Sequence, residues 1–218
     1  MKLRNSNGNV CAGHFYREPK QRNKRGPQSR KSRIQNMHNT YDNRASSQMP
    51  VWLLSALRTD HAGETGAVSI YRGILRASRD KKVIEFATRH LETEQKHLKL
   101  LESTLDASNR TRLLPLWRLA GFIIGAVPAL IGPSFVWATI EAVETFVVNH
   151  YEKQIEALIA SGEQTNILEL LRKCSADEVE HCHEAQSLQN ETQNFVTKLW
   201  CRMVSLGSLL AVKLSARV

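Results

Sequence analysis

Glu178 and His181 stand three residues apart in the stretch CSADEVEHCHEA, Cys174 to Ala185. At that spacing a carboxylate and an imidazole share one helix face and can grip one metal ion. The same pair recurs in HLETEQKHL as Glu94 and His97, and single glutamates intrude on apolar stripes as Glu64 in DHAGETGA and Glu144 in AVETFVVNHY. An isolated buried carboxylate costs several kcal/mol, so it must be neutralised, paired or bound to metal. For one such residue a Lys or Arg partner is as common as a metal; that alternative weakens when the intrusion recurs on every helix.

These side chains need four helices to position them. Leu53, Leu57, His61, Glu64, Val68, Tyr71 and Leu75 recur every three or four residues and predict a first helix of about 25 residues. Gly63 and Gly66 each cost it roughly 1 kcal/mol of propensity, but small residues there let another backbone come close. Ile84, Ala87, Leu91, Glu94, Leu98, Leu101 and Leu105 predict the second helix. The third runs from about Phe135 to Ala160 with Trp137, Ile140, Glu144, Val147, Tyr151, Ile155 and Leu158 on one face, and Ser161-Gly162 as its stop. The fourth aligns Ile167, Leu171, Cys174, Glu178, His181, Ala185 and Leu188.

Periodicity also decides between rivals. Glu144 continues the apolar face of its helix, whereas the face of Glu141 runs through Thr145 and Glu152. Glu180 and His183 repeat the i, i+3 spacing, but their face carries Lys173, Ala176, Ser187 and Asn190. Helices one and three thus give a Glu each, and helices two and four give Glu-x-x-His each, the arrangement of a ferritin-like di-iron carboxylate bundle. The fold class expected is all-α: a ferritin-like four-helix bundle, a long apolar crossover between helices two and three, and an extra C-terminal helix over 195–214.

That crossover, residues 113–135, carries Pro115, Pro128, Pro133 and three glycines, and no charge stands between Leu119 and Ile140. Its length could nominally span a bilayer. The prolines and glycines favour instead a bent segment lying on or dipping into a membrane surface, near Trp117, Phe122, Ile123, Ile124, Leu130 and Ile131.

The basic balance of the chain is confined to its front. Residues 1–50 hold eleven Lys/Arg against Glu18 and Asp42, while the other 168 residues hold nineteen of each sign. The high pI therefore implies no nucleic-acid surface on the folded domain, which the reading places at 51–218. The tail is too poor in aliphatic residues to order itself and fits an organelle import sequence, or simply a disordered basic tail. Cys11, Cys174, Cys182 and Cys201 form no C-x-x-C pair and are expected to be reduced thiols that do not ligate metal.

The stretches DHAGETGA, ETEQKHL, LPLWRLAGFIIGA, AVETFVVNHY and DEVEHCHEA resemble the 5-demethoxyubiquinone hydroxylase family over residues 51–218. Carried over position by position, the resemblance implies that Glu64, Glu94, His97, Glu144, Glu178 and His181 are ligands of two iron ions, with His150 and Tyr151 a pair beside the site. The sequence departs from the family pattern at Thr65, where Tyr is common, at Thr145, where a second Glu is usual, and at Asn149, where His is frequent. None of these removes a ligand.

The resemblance further implies ring hydroxylation of a demethoxylated polyprenyl benzoquinone with O2 and NADH-derived electrons. It places the enzyme peripherally on the matrix side of the mitochondrial inner membrane, with other quinone-biosynthesis proteins as partners. Carboxylate and imidazole ligands suit Fe(II), although manganese uses similar ones. No G-x-G-x-x-G fingerprint is present, so electrons arrive from a partner, from free NADH or through the quinone. Two other classes stay open: an iron-storage or peroxide-handling bundle, and a non-enzymatic lipid- or quinone-binding assembly protein.

Overall fold

A computed structural model describes residues 49–162, 165–189 and 192–218. The expectations for the N-terminal tail thus fall outside the described residues, apart from Met49 and Pro50. Six α-helices account for nearly all the described chain: α1 Val51–Ala77, α2 Lys81–Thr104, α3 Leu114–Ile131, α4 Pro133–Ser161, α5 Thr165–Leu188 and α6 Phe195–Ser215. The four segments that carry the candidate ligands are α1, α2, α4 and α5, as their periodicity predicts.

Local chemistry sets the boundaries. The Asp80 carboxylate caps α2 by accepting from Val83 N at 3.0 Å, and Asn194 caps α6 by accepting from Thr197 N at 2.9 Å. Gly162 ends α4 in the left-handed conformation, φ 68°. Gly132, at φ 147°, makes the sharp break between α3 and α4, and Pro133 opens α4 where a missing N–H costs nothing.

The crossover bends at Gly132, within the expected segment, but not before it. Leu114–Ile131 is one continuous α-helix with Pro128 inside it, and its glycines are contact points where a bend was expected. A Cβ at Gly121 would meet Gly66 O at 2.4 Å, and one at Gly125 would meet Ile70 O at 1.9 Å. From the other side, a Cβ on Gly73 would meet Phe122 O at 2.3 Å. Only glycine lets α3 lie this close to α1, and the close approach turns apparent breakers into packing residues.

α1 packs on α2 and α3, while α4 packs on α5 and α6. Two apolar clusters fill the bundle. One joins Ile70, Tyr71, Ile74, Phe86, Trp137 and Ile140, and the other joins Leu53, Leu57, Leu101, Tyr151, Leu158 and Leu171. On α1, α2 and α5 the glutamate falls between the residues given to the two clusters, so a polar layer crosses the middle of an otherwise apolar core.

Candidate metal centre

Each helix delivers its carboxylate to that middle layer because the heptad-like stripe leaves the position facing inward. Glu64 comes from α1, Glu94 and His97 from α2, Glu144 from α4, and Glu178 and His181 from α5. All six are at most 3 % exposed. Their donor atoms form two overlapping groups, Glu64-Glu94-His97-Glu178 and Glu94-Glu144-Glu178-His181, within each of which they lie within 4.8 Å of one another. Glu94 and Glu178 belong to both groups, the place a bridging carboxylate would occupy.

His97 Nδ1 lies 3.1 Å from Glu178 Oε1 and 3.7 Å from Glu64 Oε2, and His181 Nδ1 lies 3.0 Å from Glu94 Oε1 and 3.2 Å from Glu178 Oε2. Both imidazoles therefore turn the same nitrogen toward the carboxylates. Of the atoms so gathered, Glu64 Oε2, both oxygens of Glu94, Glu178 Oε2 and His181 Nδ1 are buried without a hydrogen-bond partner. Orphaned buried acceptors this dense are strongly unfavourable unless a cation satisfies them. The donor set fits a pair of divalent ions.

Electrostatics agree. Burial, reinforced by the facing Glu178, raises Glu94 and Glu144 well above the usual carboxylate range. Burial pushes Glu178 the same way, but the facing imidazoles of His181 and His97 overcome it and hold this carboxyl at about 2. Burial lowers His97, yet its bonds to Glu178 and Glu64 prevail and raise it to about 12. Without metal the cluster thus neutralises itself with protons.

The surrounding side chains fix the six. Tyr151 Oη donates to Glu64 Oε1 at 2.5 Å and Tyr71 Oη donates to Glu144 Oε1 at 2.9 Å. Burial, then the neighbouring carboxylates, raise both phenols, which keeps them as O–H donors. His97 turns Nε2 to Asp177 Oδ2 at 2.9 Å. His181 instead meets the edge of His90, 4.0 Å between ring centroids, and His90 Nε2 is 2.8 Å from Glu184 Oε2.

The rival Glu180 and His183 are exposed. Glu141 is buried, but its oxygens accept from Gln186 and Gln193, away from the cluster. Of the departures from the family pattern, Thr65 bonds its own helix at His61 O, Thr145 faces Cys182 Sγ at 3.5 Å, and Asn149 is exposed. Sequence reasoning missed Asp177, Tyr71, His90 and Asp60 as supporting residues. Asp177 alone carried a local signal, a second carboxylate directly before Glu178.

A cavity of about 270 Å³ reaches the cluster. Glu64, Glu94, Glu144 and Glu178 lie at its polar end, and its walls are Ala67 and Ile70 of α1, Ile124 of α3, Val143 and Val147 of α4 and Leu210 of α6. Trp117 and Ile124, expected on the outer face of the crossover, line this cavity. His150 also borders it. Thr59 Oγ1 donates to Ala56 O, so toward His150 Nε2, 3.1 Å away, it can only accept. Asp60 Oδ1 lies 3.2 Å from the same nitrogen and accepts from Gln154 at 2.7 Å. The Gln154 amide nitrogen lies 2.9 Å from the same ring nitrogen, so Nε2 sits among Thr59, Asp60 and Gln154.

The sequence matches the family model described as ubiquinone biosynthesis protein COQ7 over residues 51–215. It is 34 % identical over 167 residues to the NADPH-dependent 3-demethoxyubiquinone 3-hydroxylase, mitochondrial, of Dictyostelium discoideum, covering 74 % of this chain and 76 % of that one. The mouse protein of the same name is 32 % identical over 165 residues, with the same coverage. The 3-demethoxyubiquinol 3-hydroxylase of Rhodospirillum rubrum is 39 % identical over 105 residues, 47 % of this chain and 50 % of that one. With that match spanning the whole bundle and all four carboxylate-bearing helices, the chain belongs to the ubiquinone biosynthesis protein COQ7 family.

Proposed function

We infer that this protein is a demethoxyubiquinone hydroxylase of ubiquinone biosynthesis, and we propose that Glu64, Glu94, His97, Glu144, Glu178 and His181 hold two iron ions for that reaction. The observation that carries the reading is the continuity of the cavity: one end is four buried carboxylates, and the rest is apolar wall. A cavity of this size accepts a substituted ring and leaves a long isoprenoid tail outside.

Bound iron would supply the activation of O2 and the transfer of one oxygen atom to the ring. The protein residues do the rest. Tyr151 and Tyr71 hold the outer oxygens of Glu64 and Glu144, leaving the others turned inward. Asp177 fixes the His97 ring so that Nδ1 faces the carboxylates. The walls formed by Ile70, Ile124, Val143, Val147 and Leu210 exclude water from the reacting ring. His150, its Nε2 held among Thr59, Asp60 and Gln154, borders the ring site as an orienting group.

The cavity passes between α3 and α6, whose outer faces are apolar: Leu119 is 59 % exposed, Leu130 74 % and Leu206 65 %. Both helices are long and apolar enough to cross a membrane. Each also packs one face on the bundle, α3 through Gly121 and Gly125 and α6 through Val204, which favours helices lying on the surface. The proposed protein rests peripherally on the bilayer that holds its quinone. Relatives named as mitochondrial support a mitochondrial membrane as that bilayer and the basic N-terminal tail as an import sequence. Those names specify NADPH where the sequence reading expected NADH.

Purified iron-loaded protein given a short-tailed demethoxyquinone, O2 and either nucleotide tests the reading. Hydroxylated quinone by mass spectrometry is the expected result, and the ratio of rates with NADH and NADPH assigns the donor. Iron-loaded protein that yields no hydroxylated ring with either nucleotide, or with chemical reductant, contradicts it.

A further inference from the structure

The charges beside the two exposed apolar faces are of one sign. Residues 107–140 and 192–218 contain seven Lys/Arg and no Asp or Glu, although residues 51–218 as a whole are balanced. Six of the seven, Arg112, Arg118, Lys198, Arg202, Lys213 and Arg217, are exposed. None of the six has an ion-pair partner among the described residues. The seventh, Arg110, is half-buried and lies 3.5 Å from Glu102.

Their placement follows the helix period. On α6 the exposed apolar arc is formed by Phe195, Val196, Leu199, Met203, Leu206, Leu209 and Leu210, opposite the buried Thr197, Val204 and Ser215. At 100° per residue Lys198 falls at one edge of that arc, and Arg202 and Lys213 fall just inside the same side of it, between Leu209 and Leu206. On α3, Arg118 falls beside the exposed arc of Leu116, Leu119, Phe122 and Ile123. Long basic side chains at the margin of an apolar face lay their stems on it and lift their charges to headgroup level. An unpaired cation at such a margin is stabilised by a lipid phosphate, and the absence of carboxylates removes the repulsion an acidic residue would meet there.

We propose that the α3–α6 face docks on a membrane rich in anionic lipid, with Arg118, Lys198, Arg202 and Lys213 meeting lipid phosphates while the apolar arcs enter the acyl boundary. This rests on the membrane reading above and adds the headgroup chemistry. It also sets an orientation, because the cations border the same two helices between which the cavity passes. Each basic residue at an anionic surface is worth about fivefold in binding, and the effect decays within a Debye length.

The test is sedimentation of the full-length, metal-loaded protein with vesicles of phosphatidylcholine alone or with about 30 % phosphatidylglycerol, at roughly 50 and about 500 mM salt. Binding to anionic vesicles at least about tenfold above neutral ones, and weakened by salt, is expected. The double variant Lys198→Glu/Arg202→Glu should lose about twentyfold or more. A matched reversal at the exposed Lys96 and Lys99 of α2 should lose far less. Melting temperature and metal content report that both variants stay folded.

Equal, salt-insensitive binding to both vesicles overturns the inference but leaves membrane docking standing. Equal loss in the α6 and α2 variants, or loss in neither, also overturns it and assigns the binding to net charge or to the basic tail. Binding to neither vesicle defeats the membrane reading, and this inference with it.

Discussion

Gly125→Ala separates the packing of the crossover from the chemistry of the buried carboxylate layer. The added Cβ would sit 1.9 Å from Ile70 O, 2.8 Å from Ile70 C and 3.0 Å from Ile70 Cα, all rigid helix backbone. Restoring an ordinary contact of about 3.4 Å requires α3 and α1 to part by roughly 1.5 Å. Overpacking of this kind costs about 1–3 kcal/mol, and a backbone neighbour that cannot rotate away puts this site at the upper end. At about 2–4 °C per kcal/mol, the melting temperature should fall by about 5–10 °C. Because α3 contributes Ile124 and Trp117 to the cavity but none of the six cluster residues, metal stoichiometry should hold while turnover drops. Calorimetry, metal analysis and product formation on one preparation read all three quantities. Gly63→Ala is the control: a Cβ there meets nothing within 4 Å, so the change should stabilise the helix by about 0.5–1 kcal/mol. A Gly125→Ala protein that melts with the wild type, or a Gly63→Ala protein that melts lower, would refute the close-approach argument.

Glu178→Ala should abolish hydroxylation and most metal binding, whereas the exposed Glu180→Ala should change stability by less than about 0.5 kcal/mol and activity little; equal losses would show the helix register misread. Asp177→Asn should weaken metal binding about 10–100-fold, read by titration calorimetry, because His97 loses its charged partner; an unchanged affinity would remove Asp177 from the site. Leu119→Asp with Ile123→Asp should release the protein from vesicles without loss of metal, and undiminished vesicle binding would contradict the docking face. In the metal-free protein Glu94 and Glu144 sit above 4.5, so the folded state binds extra protons and loses stability as pH climbs beyond 4.5. His97, raised to about 12, adds stability that is complete below 6.5 and disappears as pH rises through 12. Glu178, lowered to about 2, stabilises above 4.5 and loses that effect only as pH falls through 2. Melts of metal-free protein should therefore decline from pH 6.5 upward, and metal addition should release protons; stability that rises over that range would show the cluster is not self-neutralised.

The helices and the inward residues were legible because one physical signal carried both: a 3.6-residue apolar period interrupted by carboxylates. That period singled out Glu144, which the structure brings to the cluster, while Glu141 is buried elsewhere against Gln186 and Gln193. It could not show that both glutamates are buried, since burial of Glu141 depends on residues more than forty positions away. The straight course of Leu114–Ile131 was not legible because glycine and proline report only local cost. Gly121 and Gly125 are explained by the backbone of α1, and nothing in their own segment signals that approach. His90 with Glu184, Tyr71 with Glu144 and Asp60 with His150 join different helices, so their pairing emerges only from how the helices pack.

The most direct test of the central claim is a single turnover on purified protein with its metal counted. The protein is reduced without oxygen, a short-tailed demethoxyquinone is added, isotopically labelled O2 is admitted, and the quinone is weighed by mass spectrometry. Two irons per chain and one labelled oxygen on the ring are predicted. Two irons with an unaltered ring would contradict the hydroxylase, and a labelled ring from protein stripped of metal would contradict the six-residue centre.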